Sequence, residues 1–402
     1  MSTIKSSTTT TTAYSVSADT TGTLVIQTGA TPTTAVTVGT DQSVTLAGTL
    51  SLASQNMSPY TGFKSRIING GMTIDQRNSG ASVTPTNGAY TLDRWAAVLT
   101  QASKFTVEQT ITGVSAPVGF TDYLAFTSSS AYSVLTGDAF GMYQLVEGFN
   151  CADLAWGTAN AQTVTLSFWV RSSLTGTFGG SIINSSANRS YVFSYTISAA
   201  NTWEQKSITI AGDQSGTWLT TNGVGLMVRY GLGSGSTFTG TAGSWGAGNI
   251  VQPTGSVSVV GTNTATWYIT GVQLEKGSTA TSFDYRPYGT ELALCQRYFI
   301  SYGGDASYER FANCVNTSTT QAIGMVSFPI QMRIGPSITS SGSLGLYNGV
   351  GISAVTTIAV DSAATKTTTA SFNVASGLST NAFTQAIANN STATRLTFSA
   401  EL

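Results

Sequence analysis

Histidine is absent from all 402 residues. That removes the commonest general base, the commonest transition-metal ligand and the switch near neutral pH. Ser-His-Asp and Cys-His catalysis and His-containing zinc sites are therefore excluded. Charge is scarce as well. Asp, Glu, Lys and Arg make up 9% of the chain, against roughly 25% in an average soluble domain. Lys plus Arg number 17 and Asp plus Glu 18, for a formal charge of -1. No basic excess marks a nucleic-acid surface, and no polybasic run marks a membrane surface. Cysteine is limited to Cys151, Cys295 and Cys314, too few and too far apart for a disulfide framework or a paired metal site. No apolar run reaches 18 residues, so no membrane helix is expected. Met1–Thr12 carries one Lys and a Thr tract and lacks the apolar core of a signal peptide. These features predict synthesis and folding in a cytosol.

What remains is β-rich. Gly numbers 43, Pro 8 and aromatics reach 10%. β-branched and aromatic residues suit a pleated surface, and Gly suits tight turns. Residues 1–59 hold only Lys5, Asp19 and Asp41 as charges. After the polar Ser6–Thr12 tract they alternate at Leu24/Ile26, Val36/Val38, Val44/Leu46 and Leu50/Leu52. This period predicts short strands. About 50 such residues hardly bury a core alone, so an anchor or oligomerisation segment is expected.

Residues 60–288 predict one jelly-roll-like β-sandwich. In Thr163–Arg171, Val164, Leu166, Phe168 and Val170 share one face, and Thr165, Ser167, Trp169 and Arg171 the other. Tyr191–Ser198, Trp203–Ile210, Val224–Leu232 and Ala265–Leu274 repeat the pattern. Arg66–Trp95, with Ile67-Ile68, Asn69-Gly70-Gly71 and Asp93-Arg94-Trp95, is read as the first strand and corner. Gly271–Gly289 is read as the last. Residues 289–402 predict a small C-terminal β domain with one short helix at Thr290–Phe299, capped by Thr290. A strand is expected to carry Val326, Phe328, Ile330 and Met332 on one face. The overall class is all-β.

Two stretches carry a resemblance. Ile68–Gly71 with Gln76-Arg77 and Tyr90–Trp95 forms the first. Gln273–Gly277, Phe283, Tyr285–Tyr288 and Cys295–Tyr298 form the second. Together they resemble the distal part of tailed-bacteriophage tail-fibre and related virion structural proteins, over about residues 64–300. The middle, TLSFWVR followed by Asn201–Asp213, resembles carbohydrate-binding-module jelly rolls. The resemblance implies a virion surface protein, homotrimeric, made in the host cytoplasm and exposed on the particle. It further implies attachment to other virion proteins through the N-terminal segment, and a sandwich turned towards host-surface glycan. Calcium-binding relatives of this sandwich carry Phe-Glu after the opening Asn-Gly. Here Met72-Thr73 stands there, which puts a calcium site in doubt, and no metal or cofactor is expected.

Glycan binding needs aromatic faces and planar polar groups. Trp169 and Arg171 share the outward strand face, and Trp218, Tyr230 and Trp245 lie in or beside Gly/Ser-rich loops. These five are the candidate glycan contacts. Trp95, Trp203 and Trp267 are expected to be structural or core residues. No catalytic residue is assigned, because paired carboxylates across a cleft cannot be read from spacing. The alternative function is a structural capsid fibre or decoration protein without specific receptor binding.

Overall fold

Strand alternation sets the inner and outer faces of two packed sheets. A computed structural model describes residues 24–28, 33–38, 44–46 and 63–402. The chain divides into two units, Met1–Thr61 and Gly62–Leu402. In the first, Leu24–Thr28, Thr33–Val38 and Val44–Leu46 pair antiparallel in sequence order, on the alternating runs read from the sequence. The Leu50/Leu52 run and the Ser6–Thr12 tract lie outside the described residues.

In the second unit, seven strands form one sheet. Their order is Tyr90–Leu92, Trp95–Leu99, Ala139–Glu147, Val224–Ser234, Gly176–Ile183, Arg189–Ile197 and Trp245–Ala247. Five strands face it, in the order Phe105–Gln109, Leu124–Ser128, Thr266–Lys276, Val164–Ser172 and Glu204–Ile210. All these pairings are antiparallel. The protein is all-β apart from one α-helix and three short 3₁₀ turns among the described residues. Leu166, Phe168 and Val170 enter the layer between the sheets and meet Phe126, Phe140, Phe178, Phe193 and Trp267. Full burial of each such side chain stabilises the fold by about 1.5–3 kcal/mol. Burial also pushes the Cys151 thiol up to about 12 and the Cys314 thiol up to about 11, so neither is a reactive thiolate at neutral pH.

The opening stretch departs from the expected first strand. Residues 63–74 form no strand. They lie along the closing strand instead, where the Arg66 N–H donates to Leu274 O at 2.8 Å and the Val272 N–H to Gly70 O at 2.9 Å. Gln144 bridges the Ile68 N–H and carbonyl. The cause is local. Asn69 and Met72 adopt φ of 56° and 59°, which breaks an extended run. Asn69 fits because its side chain closes the turn, accepting from the Ile74 N–H at 3.0 Å and donating to Ile74 O at 2.8 Å. At Gly70 a Cβ would stand 2.1 Å from Val272 O, so only glycine permits this approach.

The C-terminal portion has its own core around Leu346, Phe372, Leu396 and Phe398. Six strands close a barrel in the order Arg310–Asn316, Gln321–Ser327, Thr367–Val374, Ile352–Ala363, Leu344–Tyr347 and Phe383–Ala388. Phe299–Tyr302, Arg395–Ser399 and Ser337–Ser341 form a separate sheet. The expected run to Met332 stops at Ser327, because Pro329 offers no ladder N–H. The helix is Tyr288–Gln296, and Pro287 rather than Thr290 is its N-cap. Proline fixes φ near the helical value and has no N–H to satisfy.

A charged cluster lies where the end of the helix and the C-terminal tail, both flanking the three-stranded sheet, meet the sandwich. Arg297 grips Glu147 with two hydrogen bonds of 2.9 and 2.6 Å, and the Tyr298 hydroxyl donates to the same carboxylate at 2.7 Å. Glu401 pairs with Arg94 and, at 2.7 Å, with Arg77. The Arg94 and Arg77 guanidinium groups lie 3.6 and 3.7 Å from the Tyr298 and Phe299 ring centroids. Asp93-Arg94-Trp95 is thus part of a buried lock.

Candidate functional site

The outer face of the five-stranded sheet carries Trp169 and Arg171. Strand parity places them there, because Phe168 and Val170 are buried in the core. Trp169 stands opposite Gln205 on one side and Thr270 on the other. Arg171 stands opposite Tyr268. Trp203 lies one residue before Glu204, the partner of Val170, which brings it beside Arg171. Trp169, Arg171 and Trp203 are half-buried, Gln205 is exposed and Tyr268 is buried. Trp203 is therefore not a core residue as expected. It packs on the outside against Tyr123, Tyr268 and the 111–116 loop.

Hydrogen bonding separates Trp169 from the other tryptophans. The indole N–H groups of Trp95, Trp156, Trp203, Trp218, Trp245 and Trp267 all donate to acceptors inside the chain. That of Trp169 has no partner among the described residues and is not sealed from solvent. Arg171 uses only Nε, donating to Asn201 O at 2.8 Å, while its guanidinium lies 5.5 Å from the Tyr268 ring centroid. Its two terminal nitrogens have no partner among the described residues. Chemically, the surface offers an indole face for the apolar side of a sugar ring, with an indole N–H, a guanidinium edge and the Gln205 amide as donors to hydroxyl oxygens.

Trp218 and Trp245 come together elsewhere, at the Arg189–Ile197 edge of the larger sheet. They meet the buried Trp156 edge-on, with centroids 4.8–5.3 Å apart, and Tyr191 adds a contact of 5.3 Å. Their loops are pinned. Asp213 accepts a forked pair from Arg189 at 2.8 and 2.6 Å and a bond from the Trp218 indole. Trp245 pairs through its backbone with Tyr191. Both tryptophans pack as half-buried covers on the sandwich core.

Tyr230 requires correction. It is 0% exposed, in the midst of Trp95, Phe168, Phe193 and Trp267, and offers no surface to a ligand. It shares parity with Leu226 and Val228, which point into the core, and nearness to a Gly-rich loop does not change that face. Sequence reasoning omitted Gln205, Tyr268 and the outward Trp203. Cross-strand register was the missing information, since one strand does not reveal its neighbours.

Glu275, on the closing strand, spends its carboxylate on protein donors. Glu275 is buried and accepts from the Thr281 N–H at 2.8 Å, the Thr281 hydroxyl at 2.7 Å and Gln273 Nε2 at 2.8 Å.

No family model matches the chain, and no curated protein matches it. Solved structures give distant likenesses. A Bacteriophage CBA120 tailspike protein 4 enzymatically active domain is 13% identical, with TM-score 0.29, covering 53% of this chain and 21% of that one. The family 11 carbohydrate-binding module of a Clostridium thermocellum cellulosomal cellulase is 13% identical, with TM-score 0.24, covering 51% and 98%. The N-terminal tandem of family 22 modules of Paenibacillus barcinonensis Xyn10C is 10% identical, with TM-score 0.25, covering 81% and 92%. The chain thus spans about a fifth of the tailspike domain. These scores carry no functional argument.

Proposed function

We propose that the sandwich binds glycan through the Trp169 face and that the protein is an adhesin of a phage virion fibre. The observation that carries glycan binding is the half-exposed Trp169. Its indole N–H is free among the described residues, while six other tryptophans satisfy theirs internally. Arg171 and Gln205 add donors beside it. The virion assignment is supported by the opening and closing sequence motifs. It brings with it the homotrimer, the N-terminal attachment to other virion proteins, synthesis in the host cytoplasm and display on the particle surface.

A glycan array followed by titration of the best ligand tests the reading. Trp169→Ala should weaken binding about 30-fold, the effect of losing about 2 kcal/mol at an aromatic anchor. Trp218→Ala should leave affinity within about twofold, since its indole serves the core. Unchanged affinity in Trp169→Ala removes this site. No glycan bound by the wild type favours a structural fibre or decoration protein. Light scattering tests the trimer, and a stable monomer overturns it.

A further inference from the structure

On the opposite side of the sandwich, a buried cation lacks a counter-charge. Arg229 lies on Val224–Ser234 and points away from the core, because Val228 and Tyr230 point into it. It is 6% exposed. Its Nη1 donates to Asn249 Oδ1 at 2.7 Å, and its Nε faces Met227 Sδ at 2.9 Å, a weak acceptor. Nη2 has no partner among the described residues and is not sealed from solvent. Among the described residues no carboxylate pairs with it, and Tyr143 is the titratable neighbour that acts on its charge.

The surroundings are also short of partners. Tyr143 and Ser181 stand directly opposite Arg229 on the two adjoining strands. The half-buried Tyr143 hydroxyl has no partner among the described residues. The Ser181 hydroxyl is buried without one, as is Gln252 Oε1, whose side chain packs on Gly231 two residues further along. Desolvation lowers the Arg229 pKa to about 10, so the group remains cationic at neutral pH. Removing a charge from water without a counter-ion is costly, and truly unpaired buried charges are rare.

We propose that Arg229 and Tyr143 bind the carboxylate of an acidic saccharide, a second subsite on the outer face of the seven-stranded sheet. Nη2 is the unpartnered donor for a carboxylate oxygen, and the weak Met227 contact on the neighbouring Nε is readily exchanged for the second oxygen of a planar carboxylate. A single cation balances a single negative charge, whereas a phosphate dianion would leave one charge uncompensated. That the carboxylate belongs to a saccharide rests on the proposed glycan function. The anion itself follows from Arg229 alone.

Calorimetric titration of the full chain with oligogalacturonate and with sialylated oligosaccharides, each against its methyl ester, tests this. At least one acid should bind about tenfold more tightly than its ester. Arg229→Met should abolish that preference, and Trp169→Ala should preserve it. No acid preferred over its ester, or a preference surviving Arg229→Met, overturns the subsite. Inorganic phosphate displacing the acid at equal concentration overturns the carboxylate assignment. A melting readout is independent of ligand: Arg229→Met should melt at or above wild type, and a fall of several degrees would make Arg229 a structural anchor. Neutral glycan bound through Trp169 without any acid preference would sink only this subsite. Acid preference intact with neutral-glycan affinity unchanged in Trp169→Ala would sink only the Trp169 reading.

Discussion

Arg94 and Arg229 belong to one sandwich, are both buried, and are treated oppositely. Arg94 is 1% exposed, pairs with Glu401, donates to Leu145 O at 2.5 Å and stacks on Tyr298. Burial lowers its pKa, but Glu401 together with Tyr90, Tyr298 and Cys295 outweighs burial and holds it above its usual range. Arg229 has burial and no such partner, and its pKa falls to about 10. Carboxylates pair with arginines at the junction and at Arg66, Arg189 and Arg286, but none does so at Arg229 among the described residues. The contrast separates a cation that holds the fold from one left open to a ligand.

The largest effect should come from unpairing Arg94. Glu401→Gln leaves that guanidinium buried without an opposing charge, at a cost of about 3–5 kcal/mol. Denaturant titration should show a large fall in midpoint, and a loss under about 1 kcal/mol would break the comparison.

The same junction should show opposed pH dependences. Burial pushes the Asp93 carboxyl up to about 7, against Arg77 and two Gln76 hydrogen bonds. Its folded pKa exceeds its unfolded value, so its contribution is present below about 4 and is lost as pH rises towards 7. For Glu147, burial raises the pKa, but hydrogen bonds from Arg297 and Tyr298 together with the charges of Arg297 and Arg333 prevail and hold it below the usual range. Its contribution is present above its unfolded pKa and is lost as acid titrates it. Melting from pH 4 to 7 should therefore show a downward component that Asp93→Asn removes. Persistence of that component in the variant would reassign it to another group.

Much of this was legible in the sequence. Alternation in Thr163–Arg171 placed Phe168 inward and Trp169 outward, because period two is a property of one strand. A short helix was legible over Thr290–Phe299, though it runs from Tyr288 to Gln296 behind Pro287 and leaves Phe299 to a strand. The junction was not. Arg94 and Glu401 are 307 residues apart, and nothing local announces such a pair. Arg229 was passed over for the same reason: the absence of a counter-charge is a fact about neighbouring strands. Asn69 hid the shape of the opening stretch, since Ile67-Ile68 reads as strand until the left-handed turn is known.

The tryptophans extend the comparison from cations to indoles. Trp245 satisfies its N–H at Ala211 O, 2.7 Å away, and covers the core. Trp245→Ala should cost about 2–4 kcal/mol, somewhat less than a fully buried site. Trp169→Ala should cost under about 1 kcal/mol while weakening glycan binding. Equal destabilisation by both would mean that the free N–H of Trp169 does not mark a ligand face.

The smallest effect expected is at Asn249, the one strong acceptor on Arg229 among the described residues. If Arg229 were a structural anchor like Arg94, removing that acceptor would resemble removing Glu401. Asn249 is exposed, so water can replace its carbonyl once the side chain is gone. A hydrogen bond replaced by water loses little of its net contribution, typically about 1 kcal/mol or less. Asn249→Ala should therefore lower stability by about 0.5–1 kcal/mol, several times less than Glu401→Gln. A cost matching Glu401→Gln would show that Arg229 is anchored by Asn249 after all, and the two arginines would then differ in partner rather than in purpose.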